Sequence, residues 1–134
     1  MSSPMEELQR AIFDRLTTDP SVVSLITGVF DKPGMSEATP YLTFGPVDWS
    51  EDDADGLTVR EISAQLDVWS IAQDGKREAF QILDAVRRSL HLYAVDLGEN
   101  ALVEMRVMSG KVMNDPDGIT LHGVLTVTAL VQEF

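Results

Sequence analysis

Two stretches of this sequence bring carboxylates close enough together to suggest chemistry, and the first is Asp115-Pro116-Asp117-Gly118. Two nearby aspartates could contribute to a site for a hard cation, but no further oxygen ligand stands at a suitable spacing. The same four residues suit a turn, because aspartate is favoured at its first position, proline fixes φ at the second and glycine is favoured at the last. Apolar and polar residues alternate on both sides of the motif. We therefore predict a hairpin turn without a metal.

The second stretch, EDDADGLTVREI, has the acid spacing with which a calcium-binding loop begins. If Gly56 takes the sixth position of such a loop, then Glu51, Asp53 and Asp55 take the first, third and fifth. The twelfth position, where a bidentate glutamate is needed, is Ile62, and a strand follows where the motif requires a helix. The sequence therefore predicts a solvated acidic turn here, with neither metal nor cofactor.

The remaining candidates for catalysis are two histidines, since the chain has no cysteine. His91 stands beside Arg88 at the end of a predicted helix, where a cation interacts favourably with the helix dipole. His122 falls on the polar side of a predicted strand, where an exposed histidine is unremarkable. No nucleophile, base and orienting group can be named together, and no G-x-S-x-G, H-E-x-x-H or phosphate-binding glycine motif is present. We expect the protein not to be an enzyme.

The charge balance restricts the partners. Twenty-two acidic residues against ten lysines and arginines give a formal charge of −12, which disfavours ordinary binding to nucleic-acid phosphates. No apolar run approaches the roughly 20 residues that span a bilayer, so no membrane association is expected. The N-terminal MSSPMEELQR has neither a basic start nor an apolar stretch, and we expect no secretory signal.

Three segments have the apolar spacing of amphipathic helices. The first covers residues 5–16, and the second begins after the capping Asp19 and ends near Gly28. The third covers residues 76–92 and carries basic residues toward its C-terminal end. Its apolar stripe consists of Ala79, Ile82, Leu83, Val86 and Leu90.

Four segments alternate as strands do. Residues 41–47 form the first, which Pro46 confines to an edge or an end, and residues 31–40 before it are a loop. Residues 58–71 form the clearest strand; the last two strands, near 103–108 and 121–129, flank the predicted turn. In the clearest strand the apolar side consists of Ile62, Ala64, Leu66 and Val68, and the polar side of Glu61, Ser63, Gln65 and Asp67.

These elements predict one domain over residues 1–134 with an α+β fold: a single mixed, largely antiparallel sheet with helices packed on one face, in the order α-α-β-β-α-β-β. The strand–helix–strand segment 58–113 should cross over with the right-handed sense, which makes the sheet mixed. The strand over residues 58–71 and the third helix each have only one apolar side, and neither side can be left in water. We therefore expect these two sides to pack together, with Ile62, Leu66 and Val68 against Ile82, Leu83 and Val86. The polar strand side is left for water or a partner.

Nearly the whole chain resembles a known family. The resemblance is carried by ELQRAIFDRLTTDPSVVSLI and GVFDKP, then by TPYLTFGPVDWS, LDVWSIAQDGKREAFQILDAVRRSLH and the closing NDPDGITLHGVLTVTALV. These segments resemble the small tail-completion, or tail-terminator, proteins of long-tailed bacteriophages and of phage-derived gene transfer agents. The shared motifs are caps, a turn and strand patterns, so the resemblance carries over no catalytic residue.

The resemblance implies a structural virion protein, made in the bacterial cytoplasm, that forms a homo-oligomeric ring, usually a hexamer. Such a ring terminates the tail tube, joins it to the head-side connector or stopper protein, and meets DNA only as passing cargo. Three alternatives remain open, and the first two are another neck component such as a head–tail stopper and a freestanding protein-binding module. A small hydrolase that uses the carboxylates is a third, and it would need a carboxylate pair with perturbed pKa values in a cleft.

One acidic segment stands out as a candidate assembly or channel surface. It holds five acids in the eight residues 48–55, which is more charge than a turn requires and too much to bury unpaired. A tryptophan within it could anchor an interface, because tryptophan is enriched among interface hot spots. The candidate residues are Asp48, Trp49, Glu51, Asp52, Asp53 and Asp55.

Overall fold

The computed structural model describes residues 2–31, 38–71 and 76–134. Its elements follow the chain as α1 (Pro4–Thr18), α2 (Pro20–Val23), β1 (Val29–Phe30), β2 (Tyr41–Glu51), β3 (Thr58–Ile71), α3 (Arg77–Leu90), β4 (Ala101–Asn114) and β5 (Thr120–Glu133). The predicted α+β order is confirmed, with β1 as one added strand whose two residues are too few to show alternation. Residues 32–37 of the predicted loop lie outside the described residues.

The five strands form one sheet in the order β1-β2-β3-β5-β4. β1 pairs with β2 in parallel, whereas β2 with β3, β3 with β5 and β4 with β5 are antiparallel. β3 and β4 therefore run in the same direction with β5 between them, and α3 connects them. The predicted mixed, largely antiparallel sheet is confirmed.

The buried side of the sheet is the predicted one. Ile62, Leu66 and Val68 belong to the same core cluster as Ile82 and Val86 of α3, and Leu83 packs against this cluster with part of its side chain exposed. Each fully buried aliphatic side chain of this kind contributes about 1.5–3 kcal/mol through removal of its surface from water. The apolar sides of β3 and α3 thus hold the helices on one face of the sheet.

Several boundaries differ from the prediction. α2 ends at Val23 instead of near Gly28, although its predicted cap is present: the Asp19 side chain accepts a hydrogen bond from the Ser21 N–H at 3.0 Å. β2 continues past Val47 to Glu51, because its ladder with β3 extends that far. Pro46 lies at the register shift of β2, which is a position that tolerates a missing N–H.

The start of β4 also departs from simple alternation. Simple alternation places Val103 on the same side as Met105, but the register shifts between Leu102 and Glu104, so Val103 lies at the irregularity and is 59% exposed. Met105 is fully buried on the helix-covered face. Within the described residues, no helix is long and apolar enough to cross a membrane.

Candidate functional site

The acidic segment lies where β2 and β3 join, and we call residues 48–57 the acidic tip. The six candidate residues are all exposed, but they do not all follow the first strand, whose end was predicted at residue 47. Asp48, Trp49 and Glu51 belong to β2, where they pair with Ser63, Ile62 and Arg60 of β3. Asp52, Asp53 and Asp55 follow in the connection. Because side chains alternate along a strand, Asp48 projects from the open face of the sheet, and Trp49 and Glu51 from the face that carries the helices.

Trp49 is held in place although it is 44% exposed. The guanidinium carbon of Arg60 lies 4.4 Å from the centre of the Trp49 ring, in a cation–π contact. The same guanidinium makes two hydrogen bonds to the Glu133 carboxylate, from Nε at 3.1 Å and from Nη2 at 3.0 Å. The paired, planar guanidinium of Arg60 thus holds the Trp49 ring in a fixed position.

The turn that follows is ordered by its own backbone and by one of its acids. The Asp52 N–H donates to the Val59 carbonyl at 2.8 Å, and the Asp53 carboxylate accepts from the Val59 N–H at 3.1 Å. Gly56 has a φ of 74°, a value that favours glycine. Asp53 is therefore a structural acid of the turn, whereas Asp52 and Asp55 are exposed acids that follow β2.

Carboxylates crowd one another at the acidic tip. Loss of water around Glu51 raises the pKa of its carboxyl above the ordinary value, and a hydrogen bond with Asp53 and the negative charge of Asp53 raise that pKa further. The positive charge of Arg60 opposes the shift. Glu51 consequently takes up a proton more readily than an isolated glutamate does.

The open face of the sheet carries a polar cluster that the sequence did not reveal. Trp69 and His122 stack with their ring centres 4.2 Å apart, and the Trp69 Nε1–H donates to Thr43 Oγ1 at 2.9 Å. His122 Nε2 lies 2.7 Å from a carboxylate oxygen of Asp67, which also accepts from Gln65 at 2.9 Å. The cluster joins β2, β3 and β5, so His122 is partly buried and bonded, not simply exposed as predicted.

Alternation alone places Asp67, Trp69 and His122 on the polar side, but their contact depends on the register that sets Trp69 opposite His122. The close packing continues at Gly45, where an added Cβ would lie 2.7 Å from the Asp67 carboxylate. The hydrogen bonds between Trp69 and Thr43 and between His122 and Asp67 join neighbouring strands, whereas the one between Gln65 and Asp67 lies within β3. This geometry therefore indicates a cluster that stabilises the sheet.

The motif Asp115-Pro116-Asp117-Gly118 forms the predicted hairpin turn. The Gly118 N–H donates to the Asp115 carbonyl at 3.0 Å, and Gly118 has a φ of 76°. The Asp117 carboxylate accepts from the Thr120 hydroxyl at 2.6 Å and from the N–H groups of Ile119 and Thr120. The hydroxyl contact, followed by the two N–H contacts, lowers the pKa of Asp117. Its oxygens therefore brace the hairpin.

Metal ligation finds no support in the arrangement of the acids. In the part of the chain that the structure describes, no three histidine, cysteine, aspartate or glutamate side chains stand together as a metal site requires. His91, the other histidine, follows the last residue of α3 and accepts a hydrogen bond on Nδ1 from the Val107 N–H at 3.0 Å. His91 thus lies at the end of the helix, as predicted, and in addition bonds to the edge of β4.

The chain is similar to known proteins over most of its length. The family model described as "Tail completion protein gp17" matches residues 10–132. The chain belongs to the gp17 family of tail completion proteins. A tail completion protein gp17 of Bacillus phage SPP1 is 22% identical over 120 residues, which is 90% of this chain and 88% of that protein.

Two solved structures share the fold of this tail completion protein. A chain from the virion of a native gene transfer agent particle has a TM-score of 0.88 at 21% identity, over 98% of this chain and 99% of that chain. The structure of bacteriophage SPP1 gp17 has a TM-score of 0.52 at 19% identity, over 92% of this chain and 88% of that chain. As a tail completion protein, this chain has a structural role in the virion tail.

Proposed function

We propose that this tail completion protein acts as one domain that assembles into a closed ring of six copies. The ring ends the tail tube and joins it to the connector or stopper protein on the head side. The observation that carries this proposal is the match of the gp17 family model to residues 10–132. Synthesis takes place in the bacterial cytoplasm, before the protein enters the virion.

The geometry of the chain supports a ring. A closed ring needs head-to-tail contacts, in which each copy offers two different surfaces to its two neighbours. The sheet is open at both edges, β1 with β2 on one side and β4 on the other. Its helix-free face is polar and internally bonded, so a copy that has not yet assembled exposes little sticky surface there.

The acidic tip is the second part of the proposal. We assign Asp48, Trp49, Glu51, Asp52, Asp53 and Asp55 to the assembly or channel surface of the ring. Six copies, each with a formal charge of −12, would carry −72 in total. A channel wall that bears part of this charge repels DNA phosphates, so the genome can slide past without binding.

Electron microscopy of the purified protein, with and without tail tube protein, tests the ring. We expect six-fold rings, either free or at the end of tubes. Rings that bind the head-side connector but never the tube would favour a stopper instead. A protein that stays monomeric at high concentration and in the presence of the tube protein would favour a freestanding binding module and refute the proposal.

The acidic tip is tested separately with Asp52→Asn and Asp55→Asn together, because Asp53 bonds to the turn and is best left intact. We expect normal thermal melting but reduced particle yield or DNA delivery in a complementation assay. Glu61→Gln, which neutralises an exposed acid on β3, is the control and should leave both normal. Full delivery by the double variant would show that these acids only solubilise the protein.

A further inference from the structure

The two open edges of the sheet differ in how they are protected. At the first edge, β1 pairs with β2 only at Leu42 and Thr43. From Gly45 to Glu51 the outer side of β2 therefore has no neighbouring strand among the described residues. At the other edge, β4 has β5 on one side only. Unpaired N–H and C=O groups at a sheet edge are a template for contact with another chain.

The segment after α3 covers only the first half of the β4 edge. The Leu92 N–H donates to the Met105 carbonyl at 2.8 Å, and His91 Nδ1 accepts from the Val107 N–H at 3.0 Å. Leu92 has a φ of 61°, an unfavourable value for leucine, as it makes this contact. The register then shifts after Val107, and in the described structure no further segment bonds to the outer side of residues 109–114.

An apolar groove lies beside the open half of β4. It runs between α3 and β4, has a volume of about 480 Å³ and is lined by Phe80, Leu83, Val107, Met108 and Lys111 among others. Phe80 is 51% exposed and Met108 is 61% exposed. An exposed phenylalanine and methionine next to unpaired backbone groups form a surface that gains stability when another chain covers it.

A second groove flanks the open part of β2. It lies between α1 and β2, has a volume of about 760 Å³ and includes Met5, Phe13, Phe44 and Val47 in its lining. Each edge thus combines an open strand, a neighbouring helix and a partly apolar groove. The two edges lie at opposite sides of the sheet, as a head-to-tail contact requires.

The charges of the two edges are opposite. The groove at β4 is lined by Arg87 and Lys111 against Asp84, a net charge of +1. The groove at β2 is lined by the acids Glu6, Asp14 and Asp31 against Arg10, a net charge of −2. In a chain whose total is −12, a net positive edge is unusual, and its sign is opposite to that of the other edge.

We propose that the groove between α3 and β4 of one copy binds the edge formed by α1 and β2 of a second copy. This inference rests on the proposed ring and names its subunit contact. The apolar linings supply buried area, the opposite charges select the partner and its orientation, and the open backbone of residues 109–114 lies within reach of the neighbouring strand. Contact between two basic edges or two acidic edges is disfavoured by like charge, so dimers that block ring growth do not form.

Charge reversal tests this contact. The experiment is done under the condition in which the unmodified protein forms rings, either with the protein alone or with tail tube protein added. The basic-edge variant carries Arg87→Glu with Lys111→Glu, and the acidic-edge variant carries Glu6→Lys with Asp14→Lys. All four side chains are exposed, so melting temperatures should stay near that of the unmodified protein. Each variant alone should assemble at least about tenfold more weakly, because like charges then meet at the contact.

An equimolar mixture of the two variants is the decisive arm. In the mixture every reversed edge meets an oppositely charged edge if the two copies alternate, so rings should return. Arg77→Glu with Arg88→Glu is the matched control, since these exposed arginines lie on the same helix outside the groove lining. That control should assemble normally.

The outcomes separate this contact from the ring itself. If the unmodified protein forms rings and both variants assemble equally well, or if the mixture fails to assemble, the proposed contact is wrong and the ring stands. If the unmodified protein forms no ring under any condition, the proposed function is wrong. Disassembly in the matched control would also refute the contact, because it would show a response to net charge alone.

Discussion

Leu66 lies at the centre of the sheet, and its replacement by alanine tests which face of β3 meets the helices. Its side chain is fully buried in the main core cluster. Phe44 of β2 and Leu125 of β5 are its partners on either side, and both are buried. The two ladders hold these neighbours, so the space left by the missing atoms cannot close fully.

The magnitude follows from that geometry. Leu66→Ala removes three carbon atoms from a site without solvent, worth about 0.8 kcal/mol each in transfer free energy. The cavity adds to this loss, so we expect a decrease of about 3–5 kcal/mol in the free energy of unfolding. Leu83→Ala should cost less, about 1–2 kcal/mol, because the side chain of Leu83 is only partly buried.

Chemical denaturation at a fixed protein concentration and a fixed assembly state measures both changes, since association would otherwise add to the apparent stability. Val103→Ala serves as the control, because Val103 is mostly exposed and its loss should change the free energy by less than about 0.5 kcal/mol. A loss below about 1 kcal/mol for Leu66→Ala, well under the range for a buried leucine, would refute the assignment of this face to the core.

Three further predictions concern the two turns. Gly118→Val should lower the free energy of unfolding by about 1 kcal/mol or more, seen as a lower melting temperature, because valine disfavours the positive φ at that position. Asp53→Asn should lower the pKa of Glu51 in an NMR titration, since it removes a carboxylate that adds to the increase caused by loss of water; an unchanged pKa would show that Asp53 does not contribute to the shift. The pKa of Asp117 is lower in the folded protein than its ordinary value, so its contribution to stability is present above about pH 4 and is lost as pH falls through the folded pKa. Asp117→Ala should therefore reduce the loss of stability on acidification below pH ~4, and an identical acid profile would contradict that role.

Local sequence patterns predicted those elements whose structure depends on residues that are close together in the chain. The alternation in residues 58–71 reflects a strand with one buried side, and the stripe of α3 reflects a helix on one face of a sheet. The turn at residues 115–118 was predictable because aspartate, proline and glycine act through their own backbone preferences. The acidity of the tip was also predictable, because it depends only on the composition of that segment.

Tertiary pairing decided the rest. Residues 48–51 have little strand propensity of their own, yet they extend β2 because β3 offers a continuing ladder. Strand order and register brought His122 onto Trp69, Arg60 onto Glu133 and His91 onto the edge of β4. Such contacts join residues far apart in sequence, and a shift of one residue in register would move each side chain to the other face. The two charged edges are likewise a property of the assembled sheet, because each edge combines a helix and a strand that only the fold places side by side.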